Sequence, residues 1–262
     1  MKFLILGLLF VGYAAASALE WTDPLARIVA GQFIDIEIVP WQVSLQANNE
    51  HVCGGVIFDK DIVVTAAHCV FQKRRSSLTI RAGSSNSSSG GQVVAVADIV
   101  IHENCSPTFF KNDISVLLLK NNLEFNKAVK SIEFANESPV DGATALVSGW
   151  GVIEECLQCS SNILKGSTMK IIGRNECISN KYHYGDFVAP DCICAYTRGE
   201  GPSGRDSGGP LVSNGKLVGL VYWGIGSGRI GYPTVFTDVA VHHKWILNTV
   251  AKLRKRNPKQ IS

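Results

Sequence analysis

The protein has 262 residues, of which 46% are hydrophobic and 18% are charged. That composition excludes a disordered chain, which would contain fewer apolar and more charged residues. The formal net charge of +3 is too small to indicate a nucleic-acid partner. With 25 glycines and nine prolines, the sequence favours a turn-rich β protein over a helix bundle.

The N-terminal segment is typical of a secretory signal. Lys2 precedes an apolar run over residues 3–11, and Ala16-Ser17-Ala18 is a small-residue cleavage site. The run is shorter than a bilayer-spanning helix, and no later stretch has 18 consecutive apolar residues. We therefore predict that residues 1–18 are a signal peptide and that the mature protein is secreted, extracellular and without a membrane partner. The alternative is a buried N-terminal strand.

Secretion has two consequences for the rest of the chain. An oxidising compartment means that most of the eight cysteines should be paired. Three glycosylation sequons, which begin at Asn86, Asn104 and Asn136, agree with an extracellular glycoprotein.

Apolar runs of four to ten residues recur between turn residues along the chain. Many are rich in Val and Ile, and Gly, Ser, Asn or Pro lies between them, which is typical of an all-β sandwich or barrel. No linker divides them, and the Ser/Gly-rich residues 83–91 are predicted to form a surface loop. The predicted strands are Trp41–Ala47, Val52–Phe58, Leu78–Ala82, Val93–Ile101, Ile114–Leu119, Ala143–Val147, Met169–Ile172 and Lys216–Tyr222.

The C-terminus has the spacing of a helix. Val241, Trp245, Leu247, Val250 and Leu253 recur at roughly helical intervals with polar residues between them. The basic residues that follow are expected to be a solvated helix end, which the helix dipole favours. A docking patch for acidic glycans is the alternative.

Three separated segments carry residues that can do chemistry. His68 ends the segment Val64-Thr65-Ala66-Ala67-His68-Cys69, Asp113 leads into an apolar strand, and Ser207 lies in Gly204-Arg205-Asp206-Ser207-Gly208-Gly209-Pro210. Taken singly, each could be an ordinary core or turn residue. Together, and in this order, they resemble the chymotrypsin/trypsin family of serine endopeptidases over residues 28–250. The resemblance implies an all-β fold of two six-stranded antiparallel β-barrels with a C-terminal helix and the active site between the barrels.

The resemblance also assigns roles to the three residues. A serine hydroxyl is a poor nucleophile at neutral pH and needs an adjacent base. His68 would take the proton of Ser207 and deliver it to the leaving amine, while Asp113 would orient His68 and stabilise the imidazolium.

Two rival hydrolase patterns do not fit. The G-x-S-x-G elbow requires glycine where Arg205 stands, and it requires the chain order Ser, Asp, His, for which only 55 residues follow Ser207. The zinc motif H-E-x-x-H requires histidine where Ser106 stands.

An activation site is implied near residue 28. Cleavage after Arg27 would free an α-amine on Ile28, which in the family pairs with the acid before the nucleophile, here Asp206. The expected organisation is therefore a signal peptide at 1–18, an activation propeptide at 19–27 and a protease domain at 28–262.

The resemblance implies two disulfides, Cys53–Cys69 and Cys177–Cys194. Ser203 and Ser227 replace both cysteines of a third family pair. The four remaining cysteines allow three connectivities, so their pairing stays open. The favoured arrangement pairs Cys105 with Cys192 and Cys156 with Cys159.

Two departures from the family concern catalysis. The oxyanion hole would use the backbone N–H groups of Ser207 and Arg205, where the family has glycine at the second position. A Cβ there restricts the backbone, and the loss of one oxyanion donor costs about 100- to 1,000-fold in turnover. Tyr222 replaces a small residue, normally serine, that helps to hold the catalytic aspartate.

The specificity pocket would be formed by Gly201, Tyr222, Trp223, Gly224 and Thr234. Gly201 stands at the pocket base, where trypsins have aspartate, and Thr234 replaces a glycine that keeps the pocket open. Small uncharged residues are therefore expected before the scissile bond. Alternatively, a one-residue gap would place Glu200 at the base and give trypsin-like cleavage.

The sequence thus predicts a secreted serine endopeptidase made as a zymogen. The alternative is a weakly active or inactive homologue that binds or regulates a partner. Expected partners are protein or peptide substrates, an activating protease and protein inhibitors, with the enzyme itself a monomer. No cofactor and no metal is expected, since residues 83–92 lack the paired acids of a calcium site.

Overall fold

The computed structural model describes residues 31–106, 111–151 and 162–257. The predicted signal peptide and propeptide, Arg27 and Ile28, and the cysteines at 156 and 159 lie outside these residues. Within them the fold is mostly β, with fourteen strands and one long C-terminal helix.

Six strands close into a first antiparallel barrel. Alternation explains their burial: in Leu78–Ala82 the first, third and fifth residues are buried and the two between them are half-buried. All five residues of Ser115–Leu119 are buried, because this strand faces the barrel core on one side and the C-terminal helix on the other. The barrel consists of β2 (Gln42–Ala47), β3 (Glu50–Asp59), β4 (Ile62–Thr65), β7 (Ser115–Leu119), β6 (Gln92–Ile101) and β5 (Leu78–Ala82), in that spatial order.

Six further strands close into a second antiparallel barrel. Two short strands are added to it: β1 (Gln32–Phe33) pairs with β10 (Lys165–Ile172), and β8 (Glu133–Phe134) pairs in parallel with β13 (Lys216–Gly224). The expectation of two six-stranded antiparallel barrels is confirmed. The ring is formed by β9 (Thr144–Gly149), β10 (Lys165–Ile172), β11 (Cys192–Tyr196), β14 (Thr234–Asp238), β13 (Lys216–Gly224) and β12 (Pro210–Ser213), which pairs back with β9.

Each of the eight apolar runs overlaps a strand of the structure. Four barrel strands, β4, β11, β12 and β14, were not predicted.

The C-terminal helix is α2 (Val239–Arg256), and a one-turn helix, α1 (Arg174–Cys177), precedes β11. The Asp238 carboxylate caps α2 by accepting a hydrogen bond from the Ala240 N–H at 2.9 Å. The predicted apolar face was wrong in part, because Val241 and Leu247 are 55% and 47% exposed. The cap sets the first buried residue at position 239, and the buried stripe then runs through Val239, His242, Ile246, Thr249, Val250 and Leu253.

The basic end of α2 is partly neutralised by the first barrel. Arg254 donates hydrogen bonds to Asp59 at 2.6 Å and to Asp61 at 2.5 Å. Within the described residues, no helix is long and apolar enough to cross a membrane.

Both disulfides implied by the family are present, Cys53–Cys69 and Cys177–Cys194. The favoured Cys105–Cys192 pair was wrong, because both residues are free thiols. Burial raises the pKa of Cys105 to about 11 and the pKa of Cys192 well above its usual range. Burial thus disfavours the thiolate at both positions, and the thiolate is the form that reacts to make a disulfide.

Candidate active site

His68 and Asp113 meet at one end of the first barrel. Thr65, which ends β4, is the register partner of Ser115, which begins β7, so the segments beyond them run side by side. The Asp113 carboxylate accepts a hydrogen bond from His68 Nδ1 at 2.6 Å and another from the His68 backbone N–H at 2.8 Å. Asp113 is buried, whereas the His68 side chain is 38% exposed. The imidazole is thus fixed on one edge and open to solvent on the other.

Ser207 approaches the same place from the second barrel. Its carbonyl accepts a hydrogen bond from the Gly54 N–H at 2.9 Å and lies 3.6 Å from the sulfur of Cys69, the residue after His68. A Cβ on Gly54 would lie 2.7 Å from the Gly209 Cα, so the barrels can approach this closely only at glycine. The structure therefore brings His68, Asp113 and Ser207 to the junction of the barrels.

A cavity of about 290 Å³ opens beside Ser207. Four of the predicted pocket residues line it, namely Tyr222, Trp223, Gly224 and Thr234. The fifth, Gly201, is buried next to Thr234, where an added Cβ would lie 3.4 Å from Thr234 Oγ1.

Glu200 faces a different cavity. Its carboxylate accepts a hydrogen bond from Ser167 Oγ at 2.5 Å. It lines a second space of about 530 Å³ together with Gln32 and Phe33, and it does not line the cavity beside Ser207.

Tyr222 lies against the candidate base. Its ring is stacked on the His68 imidazole with 6.0 Å between ring centroids and 23° between ring planes. Burial, reinforced by the negative charge of Asp113, raises the pKa of the Tyr222 phenol far above its usual range, so the phenol stays neutral. The residue that replaces the family's small side chain therefore covers part of the imidazole.

Arg205, the candidate oxyanion donor, has a left-handed backbone with φ of +75°. Such a conformation costs roughly 1–2 kcal/mol for a residue with a Cβ. The Arg205 carbonyl accepts a hydrogen bond from His51 Nε2 at 3.1 Å, and Ser44 Oγ lies 2.8 Å from His51 Nδ1. Sequence reasoning missed this support, for which the one available signal was a histidine within an apolar strand.

The buried environment of His51 fixes its role. Burial lowers the pKa of His51 to about 4, so the imidazole is neutral at physiological pH. A neutral imidazole has one donor and one acceptor nitrogen. Nε2 donates to the Arg205 carbonyl, and Nδ1 accepts from the Ser44 hydroxyl.

Asp206 is a buried carboxylate directly before Ser207. It accepts hydrogen bonds from the Gly151 N–H at 2.7 Å and from the Ser203 N–H at 2.9 Å. Burial raises the pKa of Asp206 to about 6, although these hydrogen bonds oppose the rise. A Cβ at Gly149 or Gly151 would collide with the carboxylate, which explains why both flanking positions of Trp150 are glycine.

One group of potential metal ligands occurs among the described residues, namely Cys53, His68 and Cys69. The two cysteines are joined in a disulfide, so they offer no thiolate. This group is therefore a poor donor set for a metal ion.

Comparison with known proteins agrees with this geometry. The family model described as "Trypsin" matches residues 28–246. The chain is 42% identical over 227 residues to trypsin alpha-4 of Lucilia cuprina, which covers 87% of this chain and 89% of the relative. It is 43% identical over 220 residues to hypodermin-B of Hypoderma lineatum, covering 84% and 86%, and 42% identical over 223 residues to trypsin alpha of Drosophila erecta, covering 85% and 87%.

The fold and the comparisons define a serine endopeptidase. The chain belongs to the trypsin family.

The left-handed backbone at Arg205 gives a testable prediction. We expect Arg205→Gly to raise the free energy of unfolding by about 1 kcal/mol, because glycine adopts this φ without a steric cost. Arg205→Ala keeps the Cβ and should give no such gain. Denaturant unfolding of both variants in a His68→Ala background avoids self-digestion, and equal stability of the two would contradict the assigned strain.

Proposed function

We propose that this protease hydrolyses peptide bonds through the triad of His68, Asp113 and Ser207. The observation that supports this most is the double hydrogen bond from His68 to the buried Asp113 carboxylate, beside a cavity that Ser207 lines.

Each group has a defined step in that reaction. Ser207 Oγ attacks the scissile carbonyl carbon while His68 Nε2 removes its proton, and Asp113 stabilises the imidazolium that forms. The backbone N–H groups of Ser207 and Arg205 would bind the negatively charged oxygen of the tetrahedral intermediate. His68 then protonates the leaving amine, and water repeats the sequence on the acyl-enzyme to release the acid and restore Ser207.

The triad makes a kinetic prediction. Ser207→Ala and His68→Ala should each lower kcat by about 10⁴-fold or more, and the double variant should be little worse than either, because both residues serve one step. Peptide hydrolysis and labelling with a fluorophosphonate measure this, with circular dichroism as the control for folding. Strictly additive losses would contradict a triad that acts as a unit.

A weakly active homologue is the competing function. Arg205 and Tyr222 favour it, because one strains the oxyanion segment and the other covers part of His68. Failure of the chain cleaved after Arg27 to react with a fluorophosphonate, while still folded, would support this reading over the first.

We further propose secretion and activation by proteolysis. Residues 1–18 would be removed on export, and an activating protease would cleave after Arg27 to free the amine of Ile28. Protein inhibitors and a monomeric state are expected as for the family. The environment of Asp206 suits an amine partner, since its carboxylate is buried and its pKa is raised to about 6 by that burial.

The buried carboxylate of Asp206 leads to one prediction for the uncleaved chain and another for the chain cleaved after Arg27. In the uncleaved chain the folded-state pKa lies above the ordinary value of 3.8. The stabilising contribution of the protonated form is then complete below pH 3.8 and lost as the pH rises through about 6. In an Arg27→Gln background the free energy of unfolding should therefore fall by about 2–3 kcal/mol between pH 3.8 and pH 7.5, and Asp206→Asn, which cannot ionise, should remove that part of the pH dependence.

In the chain cleaved after Arg27, the same substitution should abolish activity, because the Ile28 amine loses its charged partner. Asp186→Asn, which changes an exposed carboxylate, is the matched control and should have no effect in either form. Equal activity of uncleaved and cleaved protein would contradict activation by this pair.

We propose that the specificity pocket accepts small uncharged side chains. Gly201 provides no charge at the base, and burying an unpaired substrate cation is expensive. Thr234 narrows the cavity, and Glu200 is hydrogen bonded to Ser167 beside another cavity. The relatives named trypsins are the strongest argument for the alternative, in which Glu200 would bind Lys or Arg.

A peptide library with every residue at the cleaved position tests this. Cleavage after Ala, Val or Thr should exceed cleavage after Lys by about 100-fold or more, because an unpaired buried charge costs more than a methylene mismatch. Gly201→Asp should reverse the preference, and Glu200→Gln should leave it unchanged. Dominant cleavage after Arg or Lys that Glu200→Gln removes would establish the alternative.

A further inference from the structure

The residue before the catalytic aspartate has an unfavourable backbone. Asn112 has φ of +53°, and its carbonyl accepts a hydrogen bond from the Ile114 N–H at 2.9 Å across Asp113. Asparagine tolerates this region better than most residues, but a turn this tight still needs contacts outside its own segment.

Those contacts come from the second barrel. The Asn112 N–H donates to Asp191 Oδ2 at 2.6 Å, and Thr237 Oγ1 donates to the Asp113 carbonyl at 3.1 Å. Thr237 on β14 is the register partner of Cys192, the first residue of β11, and Asp191 directly precedes that strand, so the two anchors lie close together. The loop of Asp113 belongs to the first barrel, whereas Ser207 belongs to the second. These two hydrogen bonds therefore join the barrel that carries His68 and Asp113 to the barrel that carries Ser207.

Asp191 has its own buried support. Its side chain is largely buried, and His242 Nε2 on α2 lies 3.3 Å from the same Oδ2 atom. Burial alone would raise the pKa of Asp191, but the hydrogen bonds from His242 and Asn112 outweigh it and leave that pKa below its ordinary value. The carboxylate is thus ionised at neutral pH. The Asp191 carbonyl also accepts the Asp238 N–H at 2.8 Å, which holds the backbone in place.

We propose that Asp191, supported by His242, is a positioning residue that aligns the His68–Asp113 pair with Ser207. This inference rests on the proposed triad, because it acts through Asp113 and touches no substrate. A displacement of about 1 Å in a catalytic group can cost on the order of 100-fold in rate. Loss of the anchor should therefore lower kcat and leave substrate binding in the cavity nearly unchanged.

The first test compares two substitutions at Asp191. Asp191→Ala removes the acceptor of the Asn112 N–H and should lower kcat by about 10- to 100-fold, with KM changed by less than about threefold. Asp191→Asn keeps an oxygen that can accept the same hydrogen bond and should retain kcat within about threefold. Rates are divided by the number of active sites titrated with a fluorophosphonate, so unfolded protein does not count.

The second test concerns His242, which supports the Asp191 carboxylate. His242→Phe keeps a ring in the same space but leaves the Asp191 carboxylate buried without its imidazole partner, so kcat should fall by about tenfold. The double variant Asp191→Asn with His242→Phe should recover most of that loss, because a neutral amide costs much less than a carboxylate to bury without the imidazole. A purely structural role for the two residues would instead make the double variant the worst of the three.

Asp61→Asn is the matched control. Asp61 is also buried near α2, but its carboxylate accepts hydrogen bonds from Arg254 on that helix and makes none to Asp191, His242 or the loop of Asp113. It should lower the thermal midpoint and leave kcat per titrated site unchanged.

The outcomes separate two kinds of failure. Normal kcat per site in Asp191→Ala, or an equal loss in Asp191→Asn, would overturn the positioning role. If Ser207→Ala itself kept activity, the proposed triad would fail. If Asp191→Ala does not fold, the double variant provides the test. A kcat that Asp191→Asn restores in the His242→Phe background supports the positioning role, and a kcat that stays low overturns it.

Discussion

The backbone contact between Gly54 and Gly209 fixes how closely the two barrels approach. A Cβ at Gly54 would lie 2.7 Å from the backbone of Gly209, so no other residue type permits this spacing. The contact allows the Gly54 N–H to reach the Ser207 carbonyl, which places the candidate nucleophile against the barrel that carries His68. Because the candidate triad is divided between two closed barrels, every further alignment in the site depends on this junction.

Much of this arrangement could be predicted from the sequence. His68, Asp113 and Ser207 stand in motifs whose order is specific to the family, and the recurring Val/Ile-rich runs indicated an all-β sandwich or barrel. Predictions failed where the answer depended on contacts between distant residues. The buried face of α2 depends on the cap at Asp238, and the free thiol of Cys192 depends on which side chains surround it. The hydrogen bond from Asn112 to Asp191, 79 positions apart, leaves no local pattern.

Three buried carboxylates hold the loops of the site in place. Asp113, Asp191 and Asp206 are all nearly inaccessible, and an ionised carboxylate in such a place is expensive unless hydrogen bonds compensate it. Asp113 is satisfied by His68, whereas Asp191 is satisfied by the Asn112 N–H and His242. Asp206 has neutral donors from Ser203 and Gly151, and burial raises its pKa to about 6 despite them. An amine partner would offset that cost of burial, which supports the proposed activation by proteolysis.

Arg205 and Tyr222, the two departures from the family that concern catalysis, have different physical effects. At Arg205 the cost is backbone strain of roughly 1–2 kcal/mol, and the His51 hydrogen bond, worth about 1 kcal/mol, offsets part of it. That strain lowers stability but leaves the Arg205 N–H in the chain as a donor. Tyr222 instead occupies space on the His68 imidazole, so its effect falls on substrates that would need that space. Neither change removes a group of the triad, and we therefore expect them to alter stability and selectivity before they alter the chemical step.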